Sequence, residues 1–239
     1  MEGRQERHLS RRERPAKPAL SRAGIVATAV ELMRAEGLER VTMRRLAREL
    51  DTGPASLYVY VASTAELHAA VLDELLGQVD LAPVGAPGDW RERLVRVLRS
   101  YMSVLFANPA LARSALTARP AGPHSLDLFE ALLALLAEGG VPAERAAWGV
   151  DGLLLSATAT AAEQATRRAA PGAEEEANAQ MAAVREASPR THPHVAGLAA
   201  ELFSGTGQDR LTWFFHALIN GIAQTPRPDA SGPAPRGNH

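Results

Sequence analysis

The break Asp51-Thr52-Gly53-Pro54 constrains what this chain can fold into more than any other stretch. Asp and Gly tolerate the dihedrals of a tight turn, and Pro suits the first turn of a helix. Before the break, a helix starting at Thr42 carries Met43, Leu46, Ala47 and Leu50 at helical spacing and leaves Arg44, Arg45 and Arg48 near the surface. After it, a very short helix is expected from residue 55 to about 61. Two helices joined by a turn of about three or four residues make a helix-turn-helix, although any helical hairpin can show the same pattern.

The flanking segments extend the helical pattern. Ser21 is a good N-cap for a helix ending at Glu36, with Ile25, Ala29, Leu32 and Met33 on one face and Gly37 as its stop. Ser63-Thr64-Ala65-Glu66 reads as a capping box, in which Ser63 and Glu66 satisfy each other's free amides. Leu67, Val71, Leu72, Leu75 and Leu76 follow. Beyond residue 80 longer helices are expected over residues 89–107, 125–138, 143–169, 173–187 and 209–223, with a short one ending near residue 116. The helix over 143–169 would run about 40 Å at 1.5 Å per residue. Its middle, residues 149–162, is apolar or small on nearly every side and should be buried all round. No internal repeat is visible.

Composition agrees with an all-α chain. Hydrophobic residues make up 46% of the 239 but aromatics only 5%, so Leu, Ala and Val must build the core, and Ala and Leu are strong helix formers. The absence of Cys excludes disulfides, thiolate metal sites and thiol catalysis. No apolar run reaches the roughly 18 residues that span a bilayer. A cytoplasmic protein without membrane contact is therefore expected. The net charge of −1 conceals an asymmetry: residues 1–50 carry 12 Lys and Arg against 7 Asp and Glu, and the remainder 14 against 20. A basic front on an acidic body suits a polyanionic partner. Only Lys17 among the basic residues is lysine, which fits phosphate and guanine recognition but equally a GC-rich coding sequence. Residues 1–18 and 225–239, charged or rich in Pro and Gly, are expected to be disordered.

The run Thr42-Met43-Arg44-Arg45-Leu46-Ala47-Arg48-Glu49-Leu50, followed by Gly53-Pro54-Ala55-Ser56-Leu57-Tyr58-Val59-Tyr60-Val61, resembles the DNA-binding domain of the TetR family. So do Ala29-Val30-Glu31-Leu32-Met33 before Gly37 and the capped helix with Glu66-Leu67. The resemblance implies a helix-turn-helix domain over residues 19–66 and a helical ligand-binding and dimerisation domain over 67–224. It implies a homodimer on a pseudo-palindromic DNA operator and no cofactor. Small residues at the head of the reading helix (Thr52, Gly53, Pro54, Ala55, Ser56) let its backbone approach the major groove. By resemblance, Tyr58 and Tyr60 contact phosphates and Arg44 reaches a base or phosphate, while Thr42 caps its helix or bonds a phosphate. Packing for Tyr58, and plain solvation for Arg44, Arg45 and Arg48, remain alternatives. Two positions depart from the family pattern: Asp51 stands where Gly is common, and Thr64 where Lys tends to touch a phosphate. The arm with Arg4, Arg7, Arg11, Arg12, Arg14 and Lys17 either compensates by tracking the duplex or is idle.

For the body, resemblance implies an effector pocket among the middle helices and a four-helix dimer interface from the long helix and the last one. Pocket candidates are Leu72, Leu75, Tyr101, Leu105, Phe129, Leu132, Trp148 and Leu155, each with core packing as its alternative. Few polar groups are at hand, so an apolar or aromatic small molecule is expected. His68 and His124 could add polar contacts. Interface candidates are Leu154, Thr158, Ala161, Leu211, Phe214, Phe215 and Leu218. His192-Pro193-His194 reads as a solvent-facing loop in preference to a metal pair. Neither a phosphate loop, a nucleophile elbow nor a zinc-helix motif is present, so the chain is not read as an enzyme. A repressor released by its ligand is the expectation, with an activator or a ligand-independent regulator as alternatives.

Overall fold

The computed structural model describes residues 19–118 and 120–228; the basic arm and the last eleven residues lie outside it. Among the described residues there are eleven α-helices and no strand. The first four are α1 (Arg22–Glu36), α2 (Met43–Glu49), α3 (Pro54–Tyr58) and α4 (Thr64–Leu76). Each start has a local cause. Ser21 Oγ accepts from the Gly24 amide at 3.1 Å to open α1, and Gly37 closes it at φ 90°, a conformation that an L side chain rarely adopts. Thr42 caps α2 through the Arg45 amide. At α4, Ser63 Oγ accepts from the Glu66 amide as expected, but the Glu66 carboxylate reaches back to the Ala62 amide at 2.7 Å, one residue beyond the expected partner. Its pKa is held below the ordinary value chiefly by that bond and secondarily by Arg22.

The body contains α5 (Trp90–Ala107), α6 (Pro109–Ala115), α7 (Pro123–Glu138), α8 (Ala143–Ala169), α9 (Ala173–Arg185), α10 (Pro193–Leu198) and α11 (Gly207–Gln224). Helix α8 packs on α5, α6, α7 and α11. Helices α8 and α11 approach closely at Gly149, where a Cβ would stand 2.6 Å from Ile222. The expectation that residues 149–162 are buried all round holds on one side only. Leu153, Ala157 and Ala161 are buried, whereas Asp151, Gly152, Leu155 and Ala159 are exposed on the single chain. Between Ala165 and Phe215 no residue is buried, so α9 and α10 contribute nothing to the core. The stretch read as a loop around His192 and His194 is the start of α10, with both histidines exposed. No group of three or more His, Cys, Asp or Glu among the described residues could hold a metal ion. No described helix is long and apolar enough to cross a membrane.

Helix α4 joins the two parts. It packs on α1 in the front and on α5, α6 and α7 in the body, and one hydrophobic cluster runs from Ile25 through α4 to Ile219. At the other end of the body, Gly139 ends α7 against Trp90, whose ring would lie 2.2 Å from an added Cβ. Neither the ring nor the helix end can yield cheaply. Gly139→Ala is expected to lower stability by about 1–3 kcal/mol, the usual cost of overpacking. A urea titration checks this as a lower midpoint at unaltered slope.

Candidate nucleic-acid interface and adjoining cavity

The turn between α2 and α3 is made by Asp51 at φ 48°, a left-handed conformation that Asp adopts more readily than most residues. The Thr52 amide then donates to Ala47 O at 2.8 Å, which pins the turn to the end of α2. Within α3 only Leu57 is buried, and Val61 anchors the chain beyond it. Everything else from Gly53 to Tyr60 faces outward: Gly53, Pro54, Ala55 and Ser56 at the leading end, then Tyr58 at 52% exposure, Val59 at 79% and Tyr60 at 36%. Three consecutive large side chains left open at the end of α3 and in the turn after it, between two apolar anchors, form a surface made to be covered. Its small leading residues allow close approach and its two phenol groups offer hydrogen bonds.

Helix α2 turns Met43, Leu46 and Ala47 inward and exposes Arg44 and Arg48. Arg44 joins no ion pair among the described residues. Arg45 was a candidate for DNA contact, and its geometry assigns it other work. Its guanidinium bonds the Glu36 carboxylate at the end of α1 and the Glu49 carboxylate one turn further along α2, the latter at 2.6 Å. These partners push its pKa further above its ordinary value, and the hydrogen bond from Arg45 lowers that of Glu36. With its donors turned to two carboxylates, Arg45 ties α2 to α1. Exposed Thr42 is likewise engaged, as the cap of α2. Between front and body, His68 Nε2 on α4 donates to Val41 O at 3.1 Å, and Arg22 pairs with Glu66 at 3.2 Å.

Adjoining α4 is a cavity of about 200 Å³ walled by α4 to α8. Four of the expected pocket residues meet there: Leu72, Tyr101, Phe129 and Leu155. Leu75, Leu105 and Leu132 do not; each is fully buried in packing away from the cavity. Trp148 lies elsewhere, in a groove with the C-terminal segment, where the Arg227 guanidinium stacks over its ring at 3.9 Å. His68 and His124 also stand outside the cavity. The reading by sequence missed its polar wall, Asp151, Ser125 and Thr158, because no helical periodicity marks a polar residue that faces a void. Tyr101 Oη and Thr158 Oγ1 are 2.7 Å apart, and burial pushes the phenol pKa up, so Tyr101 stays neutral.

Of the expected interface residues, Thr158, Ala161 and Phe215 are buried inside the subunit and cannot present themselves to another chain. Thr158 and Leu154 belong to the cavity wall because they sit on the side of α8 facing α5 and α6. Leu211 and Leu218 are half-buried and Phe214 is exposed. The open apolar stripe instead follows Trp148, Gly152, Leu155 and Ala159 along α8, at spacings of one helical turn, with Trp213, Phe214 and Leu218 beside it on α11.

Comparison with known proteins gives matches along most of the chain. Residues 25–71 match the family model described as bacterial regulatory proteins, tetR family, and residues 82–225 match that of the tetracyclin repressor-like C-terminal domain. A solved Streptomyces protein, described as a candidate transcription regulator, is 60% identical, with 91% of this chain and all of that one aligned at a TM-score of 0.75. ActR of Streptomyces coelicolor is 34% identical over 87% of this chain and 97% of its own, also at TM-score 0.75, and has been solved in complex with actinorhodin. The transcriptional repressor DrrR1 of Streptomyces coeruleorubidus is 34% identical over 131 residues, 55% of this chain and 48% of its own. The chain spans about half the length of the curated relatives it matches.

The contrast between the two arginines is directly testable. Arg44→Ala is expected to weaken DNA binding and reduce the salt slope by about 0.9, one phosphate contact's share, while leaving the unfolding midpoint nearly unmoved. Arg45→Ala is expected to lower the unfolding midpoint and leave the salt slope nearly as it was. Thermal scans and binding at several salt concentrations check both.

Proposed function

Because the chain belongs to the TetR family of bacterial regulatory proteins, we propose that it is a homodimeric, sequence-specific DNA-binding repressor released from its operator by a small molecule. The observation that carries this reading is the exposed segment from Gly53 to Tyr60, held by Leu57 and Val61 and open along its whole outer side. In the major groove its small residues meet base edges, while Tyr58 and Tyr60 donate to phosphates and Arg44 adds charge. Residues 19–66 serve as the reading domain and 67–224 as the effector and dimerisation domain. Two reading heads require two copies. The apolar stripe of Trp148, Leu155, Phe214 and Leu218 supplies a self-complementary surface for a twofold interface.

The cavity is the effector site in this reading. Its wall includes Leu72 and Leu76 of α4, and the same helix bonds the front through His68 and Glu66. A ligand that shifts α4 therefore moves the reading helix, and by linkage DNA must weaken ligand binding by the same factor. The complex of ActR with actinorhodin supports a small-molecule effector for this chain as well.

Two outcomes are expected. Tyr58→Phe should weaken binding to every sequence by a similar roughly three- to tenfold factor, the worth of one hydrogen bond. A loss confined to one base position in a competition assay would contradict a phosphate role. Trp213→Glu, on the exposed stripe and away from the cavity, should convert the dimer to a monomer in sedimentation equilibrium and abolish operator binding together with it. Retention of tight binding by the monomer would remove the dimer from the account.

A further inference from the structure

The polar wall of the cavity has a direction. A hydroxyl carries one proton, so its donor can be assigned wherever its acceptors are known. Thr158 Oγ1 donates to Leu154 O at 2.7 Å. The 2.7 Å contact between Thr158 and Tyr101 must then use the phenol proton, leaving the Tyr101 oxygen with lone pairs alone. Ser125 Oγ donates to Gly122 O at 2.8 Å, and its amide is taken by the buried Asp73 carboxylate at 2.9 Å. Asp151, a carboxylate on the exposed side of the wall, can only accept. At the rim, the Ala118 amide donates to Ser114 O and Pro120 has no amide proton. The described wall therefore holds four polar side chains that offer acceptors and none that offers a free donor.

We propose that the cavity selects ligands by their hydrogen-bond donors. It takes one- or two-ring aromatic molecules carrying hydroxyl or amino groups, and rejects molecules of the same shape whose polar groups only accept, such as ethers, quinones and carboxylates. A carbonyl set against the Tyr101 oxygen would bring lone pair against lone pair at the buried end of the cavity, where Tyr101 and Thr158 are both shielded from solvent. A phenol or arylamine there completes the chain from ligand to Tyr101 to Thr158 to Leu154 O. Size follows from volume: an enclosed cavity of about 150 Å³ holds benzene, and this one is about 200 Å³, with Leu116, Phe129, Asp151 and Leu155 on its open side. The inference rests on the reading of this cavity as the effector site.

The test uses the full chain and a naphthalene series in calorimetric titrations: 2-naphthol, 2-methoxynaphthalene, 2-naphthoate and 1,4-naphthoquinone. The expected result is roughly tenfold tighter binding of 2-naphthol than of the other three, the worth of one well-placed hydrogen bond. Tyr101→Phe should bring 2-naphthol down to the level of its methyl ether. Thr158→Val, which removes the acceptor at nearly constant volume, frees the phenol proton and should improve 1,4-naphthoquinone several-fold. Equal affinities across the series, or a 2-naphthol preference that survives Tyr101→Phe, overturns the donor rule while the cavity stands as a ligand site. Tightest binding by 2-naphthoate also overturns it, and Arg119, between Ala118 and Pro120 in sequence but outside the described residues, is then the group to replace. Failure of all four probes to bind overturns the effector-site reading itself, and the donor rule with it.

Discussion

Helix α4 has to satisfy two cores at once, and the rest of the structure depends on how it does so. Leu67, Val71, Leu72, Leu75 and Leu76 leave it almost no exposed apolar face, with α1 on one side and α5, α6 and α7 on another. Its one buried charge, Asp73, is stabilised by the main-chain amide of Ser125 at the start of α7. An uncompensated carboxylate at that depth would cost several kcal/mol, so the bond fixes the register of α4 against α7. The amino end of α4 meanwhile bonds the front domain through Glu66 and His68. The helix is thus held at both ends, with the cavity along part of its length.

Around that helix, surfaces divide by what already holds them. Arg45 illustrates the division: two carboxylates claim it, and its charge organises the α1–α2 corner. Arg44, Tyr58 and Tyr60 have no such claim among the described ion pairs and hydrogen bonds, and they stand where a duplex would lie under the proposed function. Helix α8 divides lengthwise in the same way. One side forms the core, Trp148, Gly152 and Ala159 stay open on the other, and exposed Leu155 stands between them at the mouth of the cavity. Small residues occupy both sides, which is why composition alone made the whole middle look interior.

Legibility in the sequence tracked how local the cause was. The bounds of α1 and α8 were readable because Ser21, Gly37 and the run after Pro142 act within one turn of the helix ends. The short α3 was readable from Gly53 and Pro54, and the structure ends it three residues earlier than expected. Helix α10 was missed because Val195 and Leu198 are too few to set a period. The cavity was half legible. Leu72 and Tyr101 carry an inward-facing pattern, whereas Phe129 and Leu155 are exposed at the cavity mouth, and whether such residues meet packing or space depends on helices far away in the chain. Thr158 and Phe215 show the same limit, since an apolar stripe does not say whether its own subunit or a second one covers it.

The account stands on the claim that the Gly53 to Tyr60 surface reads DNA as one of a symmetric pair. The most direct test is selection of binding sites from random duplex DNA by the purified full-length protein at low salt. A recovered pseudo-palindrome whose half-sites lie about one helical turn apart, or somewhat more, is the predicted result. Failure of the folded dimer to enrich any sequence would contradict the claim and leave the exposed segment without its partner.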